Sequence, residues 1–265
     1  EIMRVFYPFI LLAFLSSQSF AELTSKEVNV ICKKKNYNFL ITELNRLREE
    51  SPENSKVRWY MPQNRETIPG YFEQVFEVVN DVGVERHLTV HSFKISFIRR
   101  GTKILYYSIN GYKKTSSGQS LYNQKLHSKK RFFNLRKHNK TYKTTYRKKL
   151  DLTKLFNLNN TYGYKCGSTE AKTYLTDSVE TLIDSSSLST SILLQMLKDE
   201  NVEIQLYAYY GFTRLIEQGY KIDFVEEKYL KLLENKKGSV AYCNVTQNKQ
   251  VAIAEVIKEI KTLSL

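Results

Sequence analysis

ENVEIQLYAYYGFTRLIEQG, residues 200–219, carries the clearest structural signal in the chain. Its apolar and aromatic residues recur at three- and four-residue steps, namely at Val202, Leu206, Tyr209, Tyr210, Phe212, Leu215 and Ile216. This spacing places most of them on one broad helical face. Gly219 follows the pattern, and a glycine adopts the left-handed conformation of a C-cap at little steric cost. The stretch therefore predicts a helix over 202–218 that ends before Gly219.

The same periodicity extends on both sides of this helix. It predicts five helices between residue 165 and the end of the chain, over 170–183, 189–198, 202–218, 223–234 and 246–263. Asp223 precedes the fourth helix and can serve as its N-cap. The connections are short, so we expect neighbouring helices to pack antiparallel.

One part of this helical block resembles a known family of repeats. The residues that carry the resemblance are Leu194, Leu197, Asp199, Val202, Leu206, Ala208, Leu215 and Gly219. Their rhythm resembles the helix pairs of HEAT-like repeats and covers about residues 189–236, roughly one repeat unit. The resemblance implies a surface for protein–protein contact and no intrinsic catalysis. A generic helical bundle is the alternative.

The first 21 residues have the pattern of a secretory signal peptide. Arg4 forms a short basic region, residues 5–15 are apolar, and residues 19–21 form a small-x-small cleavage signature that ends at Ala21. The apolar run is well short of the roughly 20 residues that span a bilayer. The sequence therefore predicts export, with the mature protein secreted or periplasmic.

Three cysteines in an exported chain favour one disulfide and one remaining thiol. Cys166 and Cys243 bracket the helical block, so we expect them to be bonded to each other. Cys32 would then be buried and inert, or bonded to another chain. The alternative is that all three are reduced core residues.

Residues 22–156 are predicted to form an α+β domain, followed by a linker at 157–164 and the helical domain at 165–265. The first helix is expected over 36–50, capped by Asn36 or Asn38, and a polar loop over 51–70. Residues 71–79 suit a strand or a short helix. An antiparallel meander follows, with a hairpin turn at Asn110-Gly111 and further strands over 131–136 and 142–150.

Positive charge is concentrated in this meander. Residues 86–150 contain no Asp or Glu and hold 18 of the 41 Lys and Arg residues, which leaves 23 basic against 27 acidic residues elsewhere. Such a field attracts an acidic protein or a polyanion. The residues predicted to bind it are Lys129, Lys130, Arg131, Lys143, Arg147, Lys148 and Lys149. The alternative is that lysines solvate the sheet and protect its edges, and export disfavours nucleic acid as the ligand.

The sequence contains no recognisable catalytic or cofactor-binding motif. Glu85, His87 and His91 share one parity, but two strand residues four positions apart lie about 13 Å from each other, too far for one ion. We therefore predict no catalytic residue, no metal site and no cofactor.

The function expected from the sequence is that of an exported, non-catalytic protein that binds a partner protein, in an inhibitor, immunity or envelope-assembly role. Two alternatives remain open. One is a protein that binds a polyanion through the basic sheet. The other is a hydrolase that acts on an envelope polymer with a pair of carboxylates.

Overall fold

The fold is α+β, as predicted. The computed structural model describes residues 25–51, 55–82, 89–117, 120–132, 134–157, 159–166, 171–185, 189–244 and 247–263. The helices in these residues are α1 (Ser25–Lys33), α2 (Tyr37–Glu49), α3 (Arg136–Tyr146), α4 (Tyr174–Ser185), α5 (Ser189–Leu197), α6 (Val202–Glu217), α7 (Phe224–Glu234) and α8 (Ile253–Thr262). The strands are β1 (Ser55–Ile68), β2 (Tyr71–Val82), β3 (Thr89–Arg100), β4 (Lys103–Ser117), β5 (Ser120–Phe132), β6 (Gly238–Asn244) and β7 (Gln247–Ala252).

The chain divides into two compact units, and both draw on β1, β2 and β3. The first unit takes the residues up to Tyr60, Phe76–Ser96 and Thr102–Phe132, and the second takes Met61–Val75, Phe97–Gly101 and the chain from Phe133. Strands follow the order β5-β4-β3-β2-β1 in the first unit and β3-β2-β1-β6-β7 in the second. The β4–β5, β1–β6 and β6–β7 pairs are antiparallel. The predicted division at 157–164 stays a prediction.

The predicted loop over 51–70 is wrong, because β1 occupies Ser55–Ile68. Gln63, Arg65 and Thr67 alternate along this strand and are all buried. Side chains that are polar and yet buried conceal the alternation of apolar and polar residues by which a strand is recognised. The adjacent segment, left open between strand and helix, is strand β2.

The predicted strand over 142–150 is also wrong, because Tyr142 and Tyr146 belong to α3 and the chain continues beyond them without a strand. The strand predicted over 131–136 is likewise corrected, since β5 ends at Phe132 and α3 begins at Arg136. Asn110-Gly111 is not a turn. Strand β4 runs through it, and the pairing with β5 shifts register between Gly111 and Tyr112, as a β-bulge does.

The C-terminal helices agree with the periodicity. Asp223 and Glu226 form a capping box at the start of α7. After α6, the N–H of Gly219 donates to Ile216 O at 2.9 Å and that of Tyr220 to Leu215 O at 2.9 Å, with Gly219 at φ 90°. These two bonds are the Schellman pattern expected of a glycine C-cap.

The last predicted helix is correct only in its second part. Residues 247–252 form β7, which pairs with β6, and α8 begins at Ile253. The helical face of α8 buries Ile253, Val256, Ile257 and Ile260. The residues before it are mostly polar, so they add no apolar position to the helical pattern.

The predicted disulfide is present. Cys166 and Cys243 are bonded, with Cα atoms 5.5 Å apart, and Cys32 is free and buried. Burial raises the pKa of the Cys32 thiol to about 12, so it remains protonated at neutral pH. Tyr162, within the predicted linker, donates its N–H to Ala241 O and accepts from the N–H of Cys243, each at 2.8 Å.

The core of the second unit contains buried charges. The Arg65 side chain is 0% exposed, and its Nη2 lies 2.6 Å from Oε1 of Glu73. Arg65 Nη1 donates to Glu203 of α6. Lys236 donates from Nζ to Thr67 O at 2.9 Å, and burial followed by the nearby Arg65 lowers the pKa of Lys236 to about 7. The sheet and the helices of this unit are therefore joined by ion pairs as well as by apolar packing.

Within the described part of the chain, no helix has the length and apolar character needed to cross a bilayer. The predicted signal peptide, residues 1–21, lies outside the described residues.

Candidate functional site

Helix α3 is amphipathic and is fixed by an aromatic face. His138, Tyr142 and Tyr146 recur every four residues and are all buried. This spacing aligns them along one side of the helix. The ring of His138 lies 4.9 Å from that of Tyr71, and the ring of Tyr146 stacks on that of Tyr229 at 5.9 Å. One side of α3 therefore packs into the core of the second unit.

Hydrogen bonds from this buried face hold α3 in register. His138 Nε2 lies 3.2 Å from Thr67 Oγ1, Tyr146 donates from its hydroxyl to Thr67 O at 3.4 Å, and Tyr142 donates to Lys198 O at 3.1 Å. Burial lowers the pKa of His138 to about 4, so the ring is neutral at physiological pH. The helix cannot rotate about its axis without breaking these contacts.

The exposed side of α3 carries cations that pair with no carboxylate in the described residues. Arg136, Lys140 and Lys143 are spaced four and three residues apart, and Arg147 ends the helix in a left-handed conformation at φ 55°. We call these four residues the cationic stripe. All four are exposed, and none forms an ion pair with a carboxylate among the described residues. No carboxylate in the described part of the chain therefore pairs with the stripe.

Further cations lie beside the end of the stripe. Lys198 Nζ and Lys228 Nζ lie 5.0 Å and 5.6 Å from the centroid of the Tyr229 ring. Burial, and then the proximity of Arg147, lowers the pKa of Lys198. Arg147 therefore extends the positive surface of α3 toward α5 and α7, in a geometry where the lysines also contact an aromatic face.

The structure separates the seven predicted binding residues. Lys143 and Arg147 belong to the cationic stripe. Lys148 is instead paired with the buried Glu200 at 2.7 Å, and Lys149 is exposed beyond the helix. Strand β5 contains Lys129, Lys130 and Arg131. In the strand register they pair with Ile109, Ser108 and Tyr107 of β4, respectively. Their side chains are outside the described part of the chain.

The sequence prediction missed two members of the stripe, Arg136 and Lys140. Their spacing to Lys143 and Arg147, at steps of four, three and four residues, is itself a helical signal. The strands predicted over 131–136 and 142–150, joined at Asn139-Lys140, divide this segment and so conceal the helical spacing.

No group of three or more His, Cys, Asp or Glu side chains that could hold a metal ion occurs in the described ranges. Of the three residues with shared parity, His91 is buried in β3, whereas Glu85 and His87 lie outside those ranges.

Comparison with known proteins adds no relative. The chain matches no protein-family model, no curated protein and no solved structure. The resemblance of residues 189–236 to HEAT-like repeats stays a prediction.

Proposed function

We propose that this chain is an exported, non-catalytic protein that binds an acidic partner protein through the cationic stripe of α3. The observation that carries the proposal is the form of this helix. One side is buried through His138, Tyr142 and Tyr146, and the other presents cations that no described carboxylate neutralises. A surface lysine that only keeps the protein hydrated does not need to lie on a helix that is held in place by a buried face.

The dimensions of the stripe suit a protein surface. From Arg136 to Arg147 it extends about 16 Å, at 1.5 Å per helical residue. Neighbouring cations of the stripe are closer together than the Debye length of about 10 Å at 0.1 M salt, so they act on a ligand jointly. Complementary charge on a partner speeds association and fixes the orientation of the complex.

Export is supported by the Cys166–Cys243 disulfide, because disulfides persist in secreted and periplasmic proteins. The disulfide and the absence of a membrane-spanning helix among the described residues are compatible with an extracellular or periplasmic location.

The test uses charge reversal with a matched control. Lys140→Glu/Lys143→Glu alters the stripe, whereas Lys33→Glu/Lys34→Glu makes the same change in net charge at exposed positions at and after the end of α1. The probe is immobilised polyglutamate, an acidic polypeptide. We expect the stripe variant to bind about tenfold more weakly and to elute at lower salt than the control variant.

Two results would contradict the proposal. Equal elution of the two variants would show that the net charge of the chain, and not the stripe, determines retention. Stronger retention on heparin than on polyglutamate, lost in the stripe variant, would assign the stripe to a sulfated polyanion instead of an acidic protein.

A further inference from the structure

Helix α4 presents an acidic surface in an otherwise basic chain. Among the helices of the described residues, α4 alone contains acidic side chains and no Lys or Arg. Residues 173–197 hold three carboxylates and no basic residue, although the formal net charge of the chain is +14. Asp177 and Asp184 are exposed, and neither forms an ion pair within the described part of the chain. Both carboxylates are therefore open to a cation from another molecule.

The exposed residues of α4 follow one side of the helix. Asp177, Thr181 and Asp184 are spaced four and three residues apart, which aligns them on one face. Tyr174 precedes Asp177 by three residues and is 84% exposed, and tyrosine is enriched at protein interfaces. Tyr174, Asp177 and Thr181 also line an open recess of about 480 Å³. We call Tyr174, Asp177, Thr181 and Asp184 the acidic face.

The opposite side of α4 holds this face outward. Val179 is buried against α6, where a Cβ at Gly211 would lie only 3.0 Å from Val179 Cγ1. Tyr210 of α6 donates from its hydroxyl to Glu180 at 2.6 Å, and Lys172 pairs with the same carboxylate. The third carboxylate of the helix is thus used within the fold, and the acidic face is fixed on α6.

The acidic face matches the cationic stripe in spacing as well as in sign. Asp177 and Asp184 are seven residues apart, which is about 10.5 Å along a helix. The stripe contains two pairs of cations with the same separation, Arg136 with Lys143 and Lys140 with Arg147. Two helices that lie side by side can therefore place both carboxylates opposite cations at the same time.

Tyr174 adds a third contact in either direction of docking. In antiparallel docking with Asp184 opposite Arg136, the register continues to the other end of the stripe. Tyr174 then lies opposite Arg147. In parallel docking the two arginines exchange places. A guanidinium group over a tyrosine ring is a favourable contact, so the aromatic residue of the acidic face complements the arginines that end the stripe.

We infer that the acidic protein bound by the cationic stripe is a second copy of this chain, which presents the acidic face of α4. The inference rests on the proposed function, because it names the partner of the same stripe. Within one chain the two surfaces do not neutralise each other, since no stripe residue pairs with a carboxylate of the described residues. Copies of one chain also share a compartment.

The contact is small and joins two different surfaces. Helices of 11 and 12 residues offer less area than the roughly 1,200 Å² of a stable interface, so we expect a Kd on the order of 0.1 mM. Two different surfaces are either used twice in a two-fold dimer or repeated in a ring or filament.

The experiment measures self-association of the full chain by sedimentation equilibrium. The salt concentration is about 0.1 M, at which charges more than about 10 Å apart are screened and the long-range repulsion between two basic chains is reduced. The acidic-face variant is Asp177→Lys/Asp184→Lys. Its control, Glu49→Lys/Glu255→Lys, makes the same change in net charge at exposed positions of α2 and α8. The stripe variant is the one used for the polyglutamate test.

We expect the unmodified chain and the control to associate, and the acidic-face and stripe variants to associate at least about tenfold more weakly. An equimolar mixture of these two variants should associate again, because the intact stripe of one meets the intact acidic face of the other. Net charge alone predicts the reverse for the stripe variant, whose lower positive charge would reduce repulsion. If the acidic-face variant does not fold, Asp184→Lys replaces it, since a cation near a helix C-terminus is favourable.

Three outcomes overturn the inference. One is that the unmodified chain remains monomeric at up to about 1 mM. Another is that the acidic-face variant associates as strongly as its control. The third is that the mixture of the two variants does not associate.

Retention on polyglutamate distinguishes these failures from failure of the proposed function. The acidic-face variant keeps its stripe, so it should be retained at least as strongly as the unmodified chain. A monomeric chain whose retention still depends on the stripe would mean that the acidic partner is a different protein. Equal retention of the stripe variant and its own control would refute the proposed function itself.

Discussion

Replacing Arg65 with methionine should strongly destabilise the second unit. Methionine fills much of the same volume but leaves the carboxylates of Glu73 and Glu203 buried without their guanidinium partner. Removing one member of a buried ion pair typically costs about 3–5 kcal/mol. Each kcal/mol lowers Tm by about 2–4 °C in a chain of 150–250 residues. We therefore expect Arg65→Met to lower Tm by roughly 6–20 °C.

Arg58→Met is the matched control, because Arg58 lies on the same strand and also pairs with a carboxylate of β2, Asp81. Its side chain is 58% exposed, and exposed pairs contribute about 0–1 kcal/mol. Both variants would be unfolded thermally and in urea at pH 7, with circular dichroism as the readout. The loss of stability caused by Arg65→Met should be smaller at pH 5 than at pH 8, because a buried carboxylate without a partner has a raised pKa and is protonated more readily.

The explanation would be refuted if the two variants melted within about 2 °C of each other. A second check is the double variant Arg65→Met/Glu73→Gln. It removes the uncompensated charge of Glu73, so it should recover part of the stability that Arg65→Met loses. Further loss in the double variant would mean that shape and not charge determines the cost.

Three further predictions concern other buried features. The pKa of Lys236 is lowered to about 7, so the folded chain releases its proton near pH 7 and the unfolded chain near pH 10. The unfolding free energy of the unmodified chain, measured by urea denaturation, should therefore rise from pH 7 to pH 10 relative to that of Lys236→Met, by at most about 1.4 kcal/mol per pH unit. A difference between the two proteins that does not change with pH would contradict this. The variant Cys166→Ser/Cys243→Ser opens a 77-residue loop and should lose about 4 kcal/mol of stability relative to the disulfide-bonded chain, measured by urea denaturation, and the reduced unmodified chain should lose about as much. In Gly211→Ala, the new Cβ would lie 2.7 Å from Leu193 Cδ2, so we expect a loss of about 1–3 kcal/mol by thermal unfolding, and an unchanged Tm would show that Leu193 moves aside freely.

Local signals predicted the parts of the fold that local interactions determine. Asn36 caps α2 by accepting the N–H of Phe39 three residues later, and Asp223 caps α7 over the same distance. The C-cap at Gly219 ends α6 through a bond from the N–H of Gly219 to Ile216 O, three residues back, and one from the N–H of Tyr220 to Leu215 O, five residues back. Such features lie within one or two helical turns, so the sequence displays all the atoms that decide them.

Strand β1 was not predicted, in part because several partners of its second half are distant in sequence. Arg65 is 138 residues from Glu203, and Lys236 is 169 residues from Thr67. Without these partners the segment has the composition of a polar loop. Glu73 is only eight residues from Arg65, but no short window of sequence contains both Arg65 and Glu203, so the complete burial of Arg65 could not be predicted.

The error at α3 has a different origin. His138, Tyr142 and Tyr146 are four residues apart, a spacing that fits both a helical face and one side of a strand. Threonine and tyrosine in the segment favour strands. Contacts with Thr67 and Tyr229 decide in favour of the helix, and they are tertiary. The positive charge of the site was therefore predictable, whereas its arrangement in a stripe was not.

The ion pairs of Arg65 also govern when the second unit can be completed. A chain is synthesised from its N-terminus at about 5–20 residues per second, so Glu203 is added roughly 7–28 s after Arg65. Lys236 follows later still. Throughout this interval β1 is already made, but the carboxylate of α6 that it requires does not yet exist. A chain that ends before residue 203 cannot form the Arg65–Glu203 pair of this core at any time.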